Sequence, residues 1–223
     1  MKKVIFNFKY KHSKKNILSE NLLGGKGANL AEMGRLGLPV PAGFTISTKV
    51  CDLFYKNNKK LNKKIQQEIK DELKIIEKQS GKQFGNLKNP LLVSVRSGAR
   101  VSMPGMMDTI LNLGLNDKTV LALASKTSNM RFAKDSYRRF IQMYSNVVMG
   151  VDNYNFEELI ENYKLSKEVL LDTELDENDW DALIQDFKNV VRNKTKKLLQ
   201  LLQKVDEKHF EEILFLFFLI LPL

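Results

Sequence analysis

The spacing of apolar residues divides the chain into a mixed part and a helical part. Alternating or continuous apolar runs predict short strands at VIFNF, FTIST, PLLVSV and TILNLGL. Between Cys51 and Ser80, three- and four-residue spacings predict a lysine-rich helical stretch with apolar positions at Leu61, Ile65, Ile69, Leu73 and Ile76. From about residue 118 to residue 205 the pattern is almost wholly helical, with one face formed by Tyr137, Phe140, Ile141, Tyr144, Val147 and Val148. We therefore predict an α+β part followed by a helical part.

A further helix is predicted directly after the glycine-rich segment GGKGAN. It begins near Ala28, places Leu30, Met33 and Leu36 on one face, and ends at Gly37 in the C′ position. The segment LPVPAG then prevents the helix from continuing, because proline has no N–H to donate and clashes with the preceding turn.

The chain is basic overall, and this charge by itself assigns no partner. It has 36 Lys and Arg against 26 Asp and Glu, a net charge of +10. The excess lies in Lys/Asn-rich segments such as KNNKKLNKK, which lack interleaved aromatic residues and an RNA-binding signature. Solvated lysines on helix faces explain these segments better than nucleic-acid binding, which would require tight binding that falls steeply with salt.

Cysteine and histidine usage excludes several classes of site. Cys51 is the single cysteine, so the sequence contains neither an intrachain disulfide nor a thiolate metal cluster. His12 and His209 are far apart and do not form an HExxH-type metal site. Because the first residues lack the pattern of a secretory signal, a cytoplasmic protein is expected.

The uncharged segment ILFLFFLILPL stands out from the rest of the sequence. A membrane-spanning helix requires about 20 apolar residues, so this segment is too short to span a membrane. Its high apolarity and lack of charge are typical of an aggregation-prone segment. We therefore interpret residues 206–223 as an aberrant apolar tail.

The segment GGKGAN, residues 24 to 29, is a candidate phosphate site. Glycines before a helix expose backbone N–H groups at the positive end of the helix dipole, and Lys26 adds a cation for phosphoryl oxygens. The spacing is not that of a P-loop, and no Ser or Thr follows the lysine to hold magnesium. From these residues alone, a turn with a surface lysine is equally consistent.

A second candidate is the segment LLVSVRSGARVSMPGMMDT, residues 91 to 109. Arg96 ends an apolar strand, and a buried guanidinium requires an anion, either a carboxylate or a ligand phosphate. Gly105 allows close approach of the backbone to a ligand, and Met106 and Met107 offer an adaptable apolar surface for a nucleotide base. An arginine paired with a core acid beside gap-filling methionines is the alternative that these residues leave open.

Three segments together closely resemble the nucleotide-binding domain of pyruvate, phosphate dikinases. They are NLLGGKGANLAEMGRLGLPVPAGFTIST, NPLLVSVRSGARVSMPGMMDTILNLGLN and MRFAKDSYRRFIQMYSNVVMGV. The resemblance implies a partial ATP-grasp domain with a mainly helical inserted subdomain. It divides the chain into an ATP-grasp subdomain at 1–117, a helical subdomain at 118–205 and the tail at 206–223.

The resemblance also implies a reaction and a site. The family interconverts ATP, phosphate and pyruvate with AMP, pyrophosphate and phosphoenolpyruvate, using magnesium and a phosphohistidine on a separate domain. By motif, Lys26 and Arg96 are the phosphate-contacting cations, and the loop with Gly105, Met106 and Met107 covers the nucleotide. ATP and magnesium are the implied cofactors, and the partners are ATP and the remaining dikinase domains, with neither nucleic acid nor membrane.

Several family motifs are not found in this sequence. The phosphohistidine segment, the pyruvate-binding barrel and the magnesium-binding carboxylates have no match, so no catalytic residue and no metal ligand is assigned. We therefore expect an N-terminal ATP-binding fragment that is inactive alone. The alternatives are a non-enzymatic remnant, or an assembly partner that docks a separately encoded remainder through its apolar tail. A phosphoenolpyruvate synthase fragment is disfavoured, because such proteins typically continue VRSSA into an acidic segment.

Overall fold

The strands and helices follow the predicted order, with breaks that the sequence pattern does not show. A computed structural model of the protein describes residues 3–8, 19–58, 60–96, 109–195 and 219–222. The elements are β1 (Ile5–Asn7), α1 (Glu20–Arg35), β2 (Phe44–Ile46), α2 (Thr48–Lys56), α3 (Lys63–Ser80), β3 (Val93–Arg96), β4 (Thr109–Leu113), α4 (Thr119–Thr127), α5 (Met130–Met149), α6 (Tyr154–Ser166), a 3₁₀ turn (Asp172–Glu174), α7 (Glu177–Thr195) and β5 (Leu219–Pro222). The predicted α+β class is confirmed.

The chain separates into two units. The first comprises Met1–Phe84, Leu91–Thr109 and Glu207–Leu223, and the second comprises Gly85–Pro90 and Ile110–Asp206. The first unit holds α1 to α3 and a sheet, whereas the second consists mainly of the helices α4 to α7. Residues 219–222 of the predicted tail thus belong to the first unit.

Within the first unit the strands lie in the order β1-β2-β5-β3, and every neighbouring pair is antiparallel. The two faces of this sheet carry different helices. Phe6 packs with Leu23, Ala28 and Ala31 of α1, so its face is the α1 face. The next residue, Asn7, points to the opposite face, where its side-chain amide donates to Glu72 of α3 at 2.9 Å.

β5 is hydrogen-bonded on both sides, because Leu219 and Ile220 pair with β2 while residues 219–222 pair with β3. The idea that the apolar tail offers a free docking edge is therefore wrong for residues 219–222. Residues 206–218 and 223 of the predicted tail lie outside the described residues.

Helix α1 ends as predicted but buries a different face. The N–H of Gly37 bonds to the carbonyl of Gly34 at 3.2 Å and that of Leu38 to Met33 at 3.0 Å, which is a Schellman motif with Gly37 (φ 78°) at C′. The buried residues are Leu23, Gly24, Gly27, Ala28 and Ala31. The face formed by Leu30, Met33 and Leu36 is not the buried one, because the small residues let α1 approach the sheet more closely than large side chains would.

The stretch from Cys51 to Ser80 is two helices and not one. Asn57 ends α2 and Asn58 takes a left-handed conformation (φ 52°), which asparagine tolerates better than most residues. The side chain of Asn62 then caps α3 by accepting the N–H of Lys64 at 2.8 Å. As the periodicity predicts, the buried positions of α3 include Ile65, Ile69, Leu73 and Ile76, whereas Leu61 precedes the helix.

The second unit packs α5 against α7 around large aromatic side chains. Tyr137, Phe140 and Tyr144 of α5 are buried as predicted, as are Trp180 and Phe187 of α7. Buried charges are paired, because Nζ of Lys188 donates to the Asp117 carboxylate, which also accepts the hydroxyl of Tyr137 at 3.1 Å. Among the described residues, the structure has no helix of the length and apolarity that crossing a membrane would require.

Candidate functional site

The GGKGAN glycines lie within α1 and not before it. Helical structure already begins at Glu20, and Gly24 interrupts it with φ 69° and ψ 163°. That combination is essentially restricted to glycine. The predicted helix start near Ala28 is therefore wrong, since the chain forms one turn, breaks at Gly24 and resumes. Two helical segments therefore meet at Gly24. Lys26 follows it and is half-buried.

Gly27 is a point of close approach between α1 and β2. A Cβ atom at this position would lie 2.9 Å from both Cγ2 and Oγ1 of Thr45 and 3.3 Å from Cβ of Leu23. Real Cβ atoms do not approach other heavy atoms to 2.9 Å, so glycine allows α1 to rest directly on β2. The pair fixes the Lys26 segment against the side chain of Thr45.

Arg96 lies on the same face of the sheet as this segment. Phe6 is the register partner of Thr45, and Leu219 is the register partner of both Thr45 and Arg96. Cross-strand partners direct their side chains to one face of a sheet, and Phe6 packs on α1. Arg96 therefore faces the α1 side, at the end of β3.

The Arg96 side chain has an unmet hydrogen-bonding requirement. Its Nε atom is buried and has no hydrogen-bond partner among the described residues. The hydroxyls of Thr45 and Ser47, on the same side of β2, are likewise buried without a partner there. A buried donor left without an acceptor costs about 1–3 kcal/mol, and more when the group is charged. The arrangement suits an anion that accepts hydrogen bonds from this face.

Part of the predicted site cannot be placed. Gly105, Met106 and Met107 lie outside the described residues, as do both histidines, His12 and His209. The structure thus places the Lys26 segment and Arg96 on the same face of the sheet. Sequence reasoning missed Thr45, because nothing local distinguishes it from any other strand threonine. It also missed the packing role of Gly27, for which the small residue at a helical position was an available signal.

Two cavities in the first unit lie away from this site. One, of about 350 Å³, is lined by Leu53, Phe54, Lys56, Asn57, Lys60, Leu61, Asn62 and Ile65. Another, of about 360 Å³, is lined by Lys3, Ile5, Glu68, Asp71 and Glu72. Neither is lined by Lys26 or Arg96. The residues predicted to contact phosphate therefore lie outside both of these cavities.

The described part of the chain does not supply a metal centre. Among its residues no group of three or more His, Cys, Asp or Glu side chains is arranged to hold a metal ion. Cys51 is a free, half-buried thiol, and burial, together with the charge of Asp52, raises the pKa of this thiol.

Comparison with known proteins identifies the family. The family model "Pyruvate phosphate dikinase, AMP/ATP-binding domain" matches residues 20–80 and 57–151, more than half of the chain. Pyruvate, phosphate dikinase of Entamoeba histolytica is 54% identical over 169 residues, which cover 76% of this chain and 19% of that protein. The enzyme of Clostridium symbiosum is 54% identical over 183 residues, covering 82% and 21%. That of Rickettsia conorii is 44% identical over 199 residues, covering 89% and 23%.

The chain thus spans about a fifth of the length of these relatives, as expected for a fragment. Their shared name favours the dikinase over the alternatives considered from the sequence. The resemblance seen in the glycine and arginine segments is confirmed: the chain belongs to the pyruvate phosphate dikinase family, in which it corresponds to the AMP/ATP-binding domain.

Proposed function

We propose that this chain is part of an ATP-grasp nucleotide-binding domain and that it holds the phosphates of ATP between the Lys26 segment and Arg96. The observation that carries the proposal is the buried Nε of Arg96, which has no partner among the described residues and faces the α1 side of the sheet. An ATP phosphate oxygen would supply the missing acceptor.

The chemistry of the two cations suits a polyphosphate. The planar guanidinium of Arg96 can donate two parallel hydrogen bonds to phosphate oxygens, whereas the ammonium of Lys26 acts as a mobile point charge. Together these groups would neutralise charge on the phosphates as they are cleaved.

The complete activity requires parts beyond those described here. We propose that the whole protein interconverts ATP, phosphate and pyruvate with AMP, pyrophosphate and phosphoenolpyruvate, with the remaining dikinase domains as partners of this one. Magnesium would arrive with the nucleotide, since the described residues do not form a metal centre. Gly105, Met106 and Met107 are proposed to cover the nucleotide, within a functional division at 1–117, 118–205 and 206–223.

Calorimetric titration of the purified chain with magnesium-ATP tests this function. We expect saturable binding that Arg96→Ala weakens about tenfold, which corresponds to about 1.4 kcal/mol. Arg96→Lys should lie between the two, because it keeps the charge and loses the planar fork. Lys26→Ala should weaken binding about fivefold.

Lys74→Ala is the matched control, since Lys74 is an exposed lysine on α3, at the opposite face of the sheet. Its affinity for magnesium-ATP should equal that of the unmodified chain. Equal losses of affinity in Lys74→Ala and Lys26→Ala would mean that only the net charge of the chain, and not the position of Lys26, affects binding. No binding by a chain that unfolds cooperatively would contradict the proposed function outright.

A further inference from the structure

We infer that β5 is a spacer strand that sets the distance between the two sides of the nucleotide site. This inference rests on the proposed function, because it concerns how the Lys26 segment and Arg96 are held relative to each other. It assigns a positioning role to residues 219–222, which the sequence alone marks only as an apolar tail.

The register of the sheet places β5 directly between the two sides. Leu219 is the register partner of Thr45 in β2 and of Arg96 in β3. Thr45 in turn occupies the space that a side chain on Gly27 would need. The row therefore runs from the glycine segment of α1 through Thr45 and Leu219 to Arg96, with β5 as its central member.

The spacing that β5 imposes is large compared with the tolerance of a phosphate contact. Neighbouring strands lie about 4.8 Å apart, so the backbones of Thr45 and Arg96 are held about 9.6 Å apart by the intervening strand. Direct pairing of β2 with β3 would shorten that separation to about 4.8 Å, and loss of pairing would leave it undefined. Hydrogen bonds to phosphate oxygens require donor–acceptor distances of about 2.7–3.2 Å, so either change would disrupt simultaneous contact.

β5 pairs more extensively with β3, the strand of Arg96, than with β2. All four residues of β5 pair with β3, whereas only Leu219 and Ile220 pair with β2. The two pairs on β2 involve Phe44 and Thr45, the latter being the residue that contacts the Gly27 position. β5 thus joins the strand of Arg96 to the part of β2 that supports α1.

A series of substitutions at Ile220 tests the spacer role through the backbone. Ile220→Pro removes an N–H donor from a strand that pairs on both sides, which interior strands do not tolerate. Ile220→Gly keeps the donor and lowers strand preference, so it weakens the pairing without removing it. Ile220→Val retains both the donor and a β-branched side chain and is the matched control.

Three measurements are made on the 223-residue chain. Hydrogen exchange followed by mass spectrometry reports amide protection of residues 44–46 and 93–96. Calorimetry gives the affinity for magnesium-ATP. Fluorescence of Trp180, the single tryptophan of the sequence, reports the second unit, in which it is fully buried.

We expect affinity for magnesium-ATP to follow amide protection across the series. The affinity of Ile220→Val should match that of the unmodified chain within twofold. Ile220→Gly should lose part of both its affinity and its amide protection. Ile220→Pro should weaken binding at least tenfold. The Trp180 signal should not change in any of them. If Ile220→Pro unfolds the first unit altogether, the amide protection and affinity of Ile220→Gly, compared with those of Ile220→Val, still test the inference.

Two results would overturn the inference. One is a variant that loses protection at β2 and β3 and still binds magnesium-ATP within twofold. The other is unchanged protection in Ile220→Pro, which would mean that β5 does not hold these strands. A third result separates the two proposals. If the unmodified chain does not bind magnesium-ATP but amide protection still falls from Ile220→Val to Ile220→Gly to Ile220→Pro, the proposed function fails and the structural role of β5 as the spacer is retained.

Discussion

Thr45 and Arg96 share one register partner, Leu219, and so lie in a single row across the sheet of the first unit. One end of this row supports the glycine segment that carries Lys26, and the other end is Arg96 itself. The proposed phosphate site therefore depends on the alignment of three strands, although its candidate cations come from one helix and one strand end.

The close contact between Gly27 and Thr45 predicts a size-dependent effect. Gly27→Ala should lower the free energy of unfolding by about 1–3 kcal/mol, because the new Cβ would lie 2.9 Å from Thr45. Thr45→Ala removes both atoms that the Cβ meets, so it should relieve much of that loss in the double variant. Denaturant unfolding of the two single variants and the double variant measures this coupling. Strict additivity would mean that the contact does not limit the size of residue 27.

The break at Gly24 predicts that only glycine is accepted there. Gly24 has φ 69° and ψ 163°, whereas Gly150 has the same φ with ψ 25°, a left-handed conformation that asparagine adopts. Gly24→Asn should cost about 1–3 kcal/mol, and Gly150→Asn should cost about 1 kcal/mol or less. Differential scanning calorimetry of both variants makes the comparison. Similar losses would show that backbone strain does not distinguish the two sites.

The pair of Lys188 and Asp117 predicts an unequal response to removal of either partner. The side chain of Lys188 is 6% exposed and that of Asp117 is 46% exposed. Asp117→Ala leaves a buried ammonium without its partner and should cost roughly 2 kcal/mol, less than for a fully buried pair, because water reaches the carboxylate. Lys188→Met should cost less, since it removes the buried charge. Urea unfolding monitored by Trp180 fluorescence compares them, and a larger loss in Lys188→Met would contradict the prediction.

The start of α7 predicts a loss of stability in acid. Asp176 accepts the N–H groups of Asp179 at 3.0 Å and Asn178 at 2.7 Å, and these bonds hold the pKa of Asp176 below its usual value. A carboxyl whose pKa is lower in the folded state stabilises the protein above its unfolded pKa, and this contribution disappears as the pH falls through the folded pKa.

The urea midpoint of the second unit should therefore decrease as the pH falls below about 4. Asp176→Asn keeps a side-chain oxygen for capping and removes the charge, so its midpoint should depend less on pH. Trp180 fluorescence between pH 6 and pH 3 checks this. An identical pH dependence in both proteins would exclude Asp176 as a contributor.

The local sequence pattern predicted an element correctly where that element meets its own backbone and burial requirements. β1, β2 and β4 lie within the predicted apolar runs, and β3 extends one residue beyond PLLVSV, to Arg96. Helix α3 buries the isoleucines that its periodicity indicates. The pattern failed at α1, because consecutive glycines indicate a loop while the structure uses Gly24 to break a helix that continues on both sides. Sequence cannot distinguish these cases when the surrounding residues accept helical geometry.

The arrangement of the site required long-range information. The motifs predict Lys26 and Arg96 as site residues, and their placement on one face of the sheet depends on the pairing of Thr45 and Arg96 with residue 219. An uncharged apolar run is typical of an aggregation-prone segment and equally of a central strand. The run forms a central strand here because it pairs with both β2 and β3. That pairing joins residues far apart in the chain, so no local stretch of sequence predicts it.

The place of β5 in the chain has a consequence for folding during synthesis. A ribosome releases β2 and β3, and then helices α4 to α7, before it releases residues 219–222. The second unit can complete its helical packing while the first still lacks the strand between β2 and β3. Nascent chains usually fold from the N-terminus, and here the N-terminal unit must wait, with two strand edges open to association with other molecules.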